Sequence, residues 1–119
     1  MKGFSKNLFL NKSERKAQKM CEMLNNYFQD RVEKVELFGK VMTNPESFEI
    51  RFIAYNYFSV CFTSEINFGC SILYGDKRMW LPNSQCNWET ADFDIFFREL
   101  QQELEMRIPD KFLKARGWL

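Results

Sequence analysis

The feature that most constrains this chain is a strict two-residue alternation that runs from Phe48 to Thr63. Phe48, Ile50, Phe52 and Ala54 fall on one side of it, and Glu49, Arg51, Ile53 and Tyr55 on the other. After Asn56 the alternation resumes, with Phe58, Val60 and Phe62 set against Tyr57, Ser59, Cys61 and Thr63. A period of two sends successive side chains to opposite faces of an extended strand. The pattern continues as Ile66, Phe68, Cys70, Ile72 and Tyr74 against Asn67, Gly69, Ser71 and Leu73. "GDKR" (Gly75–Arg78) then reads as a hairpin loop. The chain returns through Met79, Trp80 and Leu81 until Pro82, which cannot donate to a ladder, stops it. Upstream, Val35, Leu37 and Val41 alternate around Gly39, a candidate bulge, and "TNPES" (Thr43–Ser47) reads as a turn. Connections this short join antiparallel neighbours, so the middle of the chain predicts a meander of four to five strands.

Helical spacing flanks this block. Asn11 with Glu14 three residues on forms a capping-box pattern. Ala17, Met20, Cys21, Leu24, Tyr27 and Phe28 then recur on one side, with Arg15, Lys19, Glu22 and Asn26 opposite. Near the end, Phe93, Phe96, Phe97, Leu100 and Leu104 share one arc, with Thr90 or Asp92 as N-cap. Pro109 stops that helix and suits the first turn of another, which carries Phe112 and Leu113 and meets Gly117 at a C′ position. Trp118 and Leu119 are expected to fold back as the last wall of the core. The order helix, strands, helices predicts an α+β fold in which the N-terminal and C-terminal helices cover one sheet face. A single domain over residues 1–119 is expected. The other face, carrying Arg51, Ile53, Tyr55, Tyr57, Ser59, Thr63, Asn67 and Ser71, would stand open to solvent.

Composition narrows the function. Hydrophobic residues make up 45% and aromatics 17% of 119 residues, which excludes a disordered chain. Uncharged stretches such as Phe52–Thr63 contain Asn56 and Ser59 and are too short to span a membrane. Residues 1–10 lack the apolar run and cleavage site of a signal peptide, so the cytoplasm is the expected location. The four cysteines share no CxxC spacing and histidine is absent, which argues against a zinc site and for reduced thiols. Net charge is +1, but residues 1–19 hold six basic side chains and one acidic, and residues 89–105 six acidic and one basic.

No nucleophile of the Ser-His or Cys-His type can be assembled without histidine. Asp92 and Asp94 sit where carboxylates cap a helix, and two positions apart they point in different directions. Gly3, Gly39, Gly69, Gly75 and Gly117 match no phosphate-binding loop. The expectation is a protein that is not an enzyme and needs no cofactor or metal.

The C-terminal "DIFFRELQQELEMRIPDKFLKARGWL", behind an amphipathic first helix and a meander, resembles the immunity proteins of bacterial polymorphic toxin systems. Those of contact-dependent growth inhibition are the nearest comparison. The resemblance implies a cytoplasmic inhibitor that binds a cognate toxin C-terminal domain, with neither nucleic acid nor membrane as partner. Many such proteins directed at nucleases are strongly acidic, and this chain departs from them in being neutral overall. Two surfaces suit the role: the outer stripe of the long C-terminal helix (Ile95, Glu99, Gln102 and Met106, flanked by Asp94 and Glu105), and the open sheet face with Arg51, Tyr55 and Tyr57. A basic toxin would favour the helix. The alternative is a small single-stranded nucleic-acid-binding protein that uses the basic first helix and the aromatic sheet face.

Overall fold

The computed structural model describes residues 11–43 and 46–119. The basic stretch of residues 1–10 lies outside them, as does the middle of the expected turn at 43–47. Helix α1 (Lys12–Phe28) passes through a 3₁₀ turn (Gln29–Arg31) into β1 (Val32–Thr43). Strands β2 (Glu46–Ala54), β3 (Phe58–Ser64), β4 (Phe68–Tyr74) and β5 (Lys77–Trp80) follow, then helices α2 (Phe93–Glu105) and α3 (Asp110–Ala115). The five strands lie in sequence order in one antiparallel sheet, the α+β meander expected.

Local chemistry sets the helix starts. The Asn11 side chain accepts from the Glu14 N–H at 2.8 Å while the Asn11 N–H donates to Glu14 Oε1 at 3.0 Å, closing the capping box. Asp92 caps α2 by accepting from the N–H groups of Asp94 and Ile95. The buried stripes, Met20, Leu24 and Phe28 on α1 and Phe96, Phe97, Leu100 and Leu104 on α2, join one core with Phe48, Ile50, Phe52, Val60 and Phe62 of the sheet. Each large side chain so buried contributes about 1.5–3 kcal/mol. Aromatic contacts dominate: Phe62 meets Phe96 edge-on at 6.0 Å, and Phe68 stacks on Phe93 at 5.4 Å. The Trp88 indole N–H donates to Ser64 Oγ at 2.8 Å, so the one polar atom it brings to this cluster is satisfied.

Several expectations need correction. Alternation assigns Tyr55 to the open face beside Arg51 and Ile53, yet Tyr55 is buried among the helices. Strand β2 ends at Ala54, and Tyr55 and Asn56 both take positive φ (59° and 52°) in a turn closed by the Tyr57 N–H to Ala54 C=O bond. That turn reverses the chain and swings the Tyr55 side chain back over the core. Tyr57 lies in the same connection, off the sheet face, and packs edge-on against Phe58 and Phe112. Ile66 precedes β4 and is 87% exposed in the β3–β4 loop. β1 is bent twice, with positive φ at Lys34 and at Gly39, the second being the expected bulge. Pro109 is the N-cap of α3, one position before the first-turn place expected of it.

The C-terminus closes as a Schellman motif. Gly117 takes φ +76°, its N–H donates to Lys114 C=O, and the Trp118 N–H reaches Leu113 C=O at 2.9 Å. Trp118 packs edge-on against Tyr55 with ring centres 5.4 Å apart, and its indole N–H lies 3.3 Å from Asp30 Oδ2. Leu119, expected to share this wall, is instead 61% exposed.

Candidate binding surfaces

The outer stripe of α2 divides on inspection. Glu99 Oε1 accepts from the Ser84 N–H at 2.8 Å and its Oε2 from the Ser84 hydroxyl at 2.6 Å, tying the β5–α2 connection to the helix. These bonds, the hydroxyl foremost, hold the Glu99 carboxyl below its usual pKa. Glu105 is turned inward: its Oε2 accepts from the Tyr55 hydroxyl at 2.6 Å and from Gln101 Nε2 at 3.0 Å. Gln101 Oε1 in turn accepts from the Tyr27 hydroxyl at 2.7 Å. Burial, then the hydrogen bond to Glu105, raises the Tyr55 pKa. Two residues assigned to different surfaces, Tyr55 and Glu105, are thus bonded to each other. Ile95 is partly buried, leaving Asp94, Gln102 and Met106 as the exposed members of the six.

The sheet face away from the helices is built differently. Its centre is floored by small residues on β3 and β4: Ser59, Cys61 and Thr63 beside Gly69 and Ser71. At the β1 edge Phe38 is 49% exposed, and the Arg51 guanidinium lies 3.5 Å from its ring centre. At the β5 edge Trp80 is 54% exposed, with the Arg78 guanidinium 5.3 Å from its ring. Arg78 also reaches back across β4 to donate to Thr63 Oγ1 at 3.3 Å and to approach Glu49 Oε2 at 3.7 Å. Glu49 Oε1 stands 3.6 Å from Arg51, so one carboxylate joins both arginines. A Cβ added to Gly69 would sit 3.9 Å from the Trp80 ring, which covers the strand there. Cys61 and Ser71 are consequently buried although none of the described helices lies over them.

Of the sheet-face residues expected from sequence, the structure keeps Arg51, Ile53, Ser59, Thr63 and Ser71, leaves Asn67 in the β3–β4 loop, and removes Tyr55 and Tyr57. It adds Phe38, Glu49, Arg78 and Trp80. Arg78 and Trp80 were legible in principle. The Gly75–Asp76 connection pairs Tyr74 with Lys77, and carrying the two-residue period across it puts Arg78 beside Leu73 and Trp80 beside Ser71. Phe38 was hidden by the bend at Gly39.

All four cysteines are free thiols; Cys61 and Cys70 are buried, and burial lifts the Cys21 pKa to about 11. Burial raises the Cys70 pKa as well, and Cys21 and Cys70 are poor nucleophiles near neutral pH. Among the described residues, no group of three or more carboxylates and thiols is placed to hold a metal ion, and no helix is long and apolar enough to cross a membrane. Comparison with models of protein families, with curated proteins and with solved structures finds no match to this chain.

Proposed function

We propose that the protein acts by binding, as an immunity-type inhibitor of a cognate toxin domain, and that the open sheet face makes the contact. The observation that carries this reading is the pair of guanidinium–aromatic stacks, Arg51 on Phe38 and Arg78 on Trp80, held at opposite edges of a face that none of the described helices covers. Tryptophan and arginine dominate the energetics of protein interfaces, and here each ring already has a guanidinium over it and each guanidinium lies near Glu49. The chain's resemblance to immunity proteins supplies the partner class. Bases have little room to stack on this face, because a guanidinium already lies against each exposed ring, and Glu33, Glu36 and Glu49 repel a phosphate backbone.

The test is co-expression with the protein encoded immediately upstream, followed by titration calorimetry of the purified pair. Rescue of growth and a complex that Trp80→Ala with Arg78→Ala weakens at least tenfold are expected. Neither rescue nor complex with that neighbour would end the immunity reading. A complex indifferent to the double substitution would keep inhibition and remove the sheet face. Salt-dependent binding to generic single-stranded RNA would instead favour the nucleic-acid reading.

A further inference from the structure

A second surface lies on the helix side of the sheet, at the corner where α2 and α3 stop short of the β4–β5 hairpin. Phe58, Ile72, Leu73 and Met79, with Ser59 beside them, line an open cleft of about 590 Å³ between Tyr57, Tyr74 and Arg107. Tyr57 and Tyr74 remain 45% and 53% exposed, and Phe58 and Met79 are only partly buried. The wall is rigid. Arg116 lies 4.6 Å from the Phe112 ring, Phe112 meets Tyr57 at 5.0 Å, and Tyr57 meets Phe58 at 4.8 Å. Arg107 is fixed by Glu103, donating to its carbonyl at 2.6 Å and to its Oε1 at 2.8 Å. Lys77 pairs with Tyr74 across the hairpin on the same side. The chain around the cleft is basic on balance, with Lys77, Arg107, Lys111, Lys114 and Arg116 against Asp76, Glu103 and Asp110.

From this we infer that the corner cleft is a docking site for an acidic polypeptide segment, which inserts one aromatic or branched apolar side chain between Tyr57 and Tyr74. The floor of ring, methyl and thioether carbons desolvates an apolar anchor. The cationic rim attracts flanking carboxylates and speeds their arrival. A nucleic-acid strand fits less well. Tyr57 packs edge-on between Phe58 and Phe112, and Arg107 is the only cation among the described residues that line the cleft, where a backbone needs a track of them. The cleft opens at the end of β3 and β4 and reaches the open face only through Ser59 and Leu73, so its aromatic and basic walls are distinct from the Arg51 and Arg78 pairs.

The probe is a short synthetic peptide with a central Trp between Glu residues, titrated into the full chain and followed by amide NMR shifts. Shifts are expected at residues 57–59, 72–74, 79 and 107, weakening as salt is raised. Tyr74→Ser and Arg107→Gln should each lower affinity by about tenfold or more. Tyr74 is exposed, so its variant keeps the fold, and an unchanged thermal transition checks this. Equal binding of a Lys-flanked peptide, shifts confined to the open face, no shifts at all, or tighter binding of a single-stranded oligonucleotide at the cleft would each overturn the inference.

Discussion

The Tyr55 hydroxyl donates to Glu105 Oε2 at 2.6 Å, fastening the β2–β3 turn to the last turn of α2 across 50 residues of sequence. Removing the hydroxyl leaves the carboxylate with Gln101 alone. Tyr55→Phe is expected to lower stability by about 1.5–3 kcal/mol, the range for a hydrogen bond to a charged group, read as a drop in the urea midpoint at constant slope. An unchanged midpoint would show that this bond does not hold the turn to the helix.

The same residue gives the protein an alkaline limit. Burial, then the bond to Glu105, raises the folded pKa of Tyr55 above its ordinary value of 10.0. Burial likewise raises Cys70 above 9.0, and Cys21 to about 11. A group with a raised folded pKa contributes stability that is intact below its unfolded pKa and is lost as pH climbs past it. Stability should therefore hold up to about pH 9 and fall beyond it, first through the thiols and then through Tyr55. Denaturant titrations at stepped pH check this, and Tyr55→Phe should flatten the fall above pH 10.

Trp118 and Leu119 are neighbours with opposite fates. Trp118 closes the Schellman motif and packs on Tyr55, and Leu119 is exposed. Trp118→Ala should cost about 2–4 kcal/mol, somewhat below a fully buried tryptophan. Leu119→Ala should stay within about 0.5 kcal/mol, as surface changes do. Melting curves of the two variants, with no partner present, separate them; equal losses would contradict the packing described.

Glu99 is a fastening for the β5–α2 connection rather than a free interface charge. Glu99→Lys should release Ser84, speed hydrogen exchange at its amide and lower stability by about 1 kcal/mol. Because the folded pKa of Glu99 is depressed, its contribution is present above the unfolded value of 4.5 and is lost as pH falls through the folded pKa. A variant meant to probe the outer face of α2 should therefore alter Gln102 or Met106. Exchange at Ser84 that matches the parent would show that the connection is held elsewhere.

These two glutamates mark where the sequence stops being informative. Alternation placed Phe48, Ile50, Phe52 and Ala54 in the core, and the caps Asn11 and Asp92 were readable because their partners lie within three residues. Ser84 lies 15 residues from Glu99 and Tyr55 lies 50 from Glu105, separations that no local period reports. The carboxylates therefore read as part of an outer stripe open to a partner. Tyr55 was misplaced for a related reason: alternation predicts a face only while the strand lasts, and a backbone turn at positive φ has no alternating signature.

The Tyr55–Asn56 turn itself offers the last test. Both residues take the left-handed conformation that the twist of a tight hairpin favours, at φ 59° and 52°. Asn tolerates that region, glycine enters it freely, and a β-branched residue is crowded there by its own Cβ. Asn56 is exposed, so replacing it tests the backbone and little else. Asn56→Gly should be close to neutral, and Asn56→Val should cost about 1–2 kcal/mol. If urea unfolding finds the two variants equally stable, the turn does not hold this conformation in solution, and the burial of Tyr55 needs another cause.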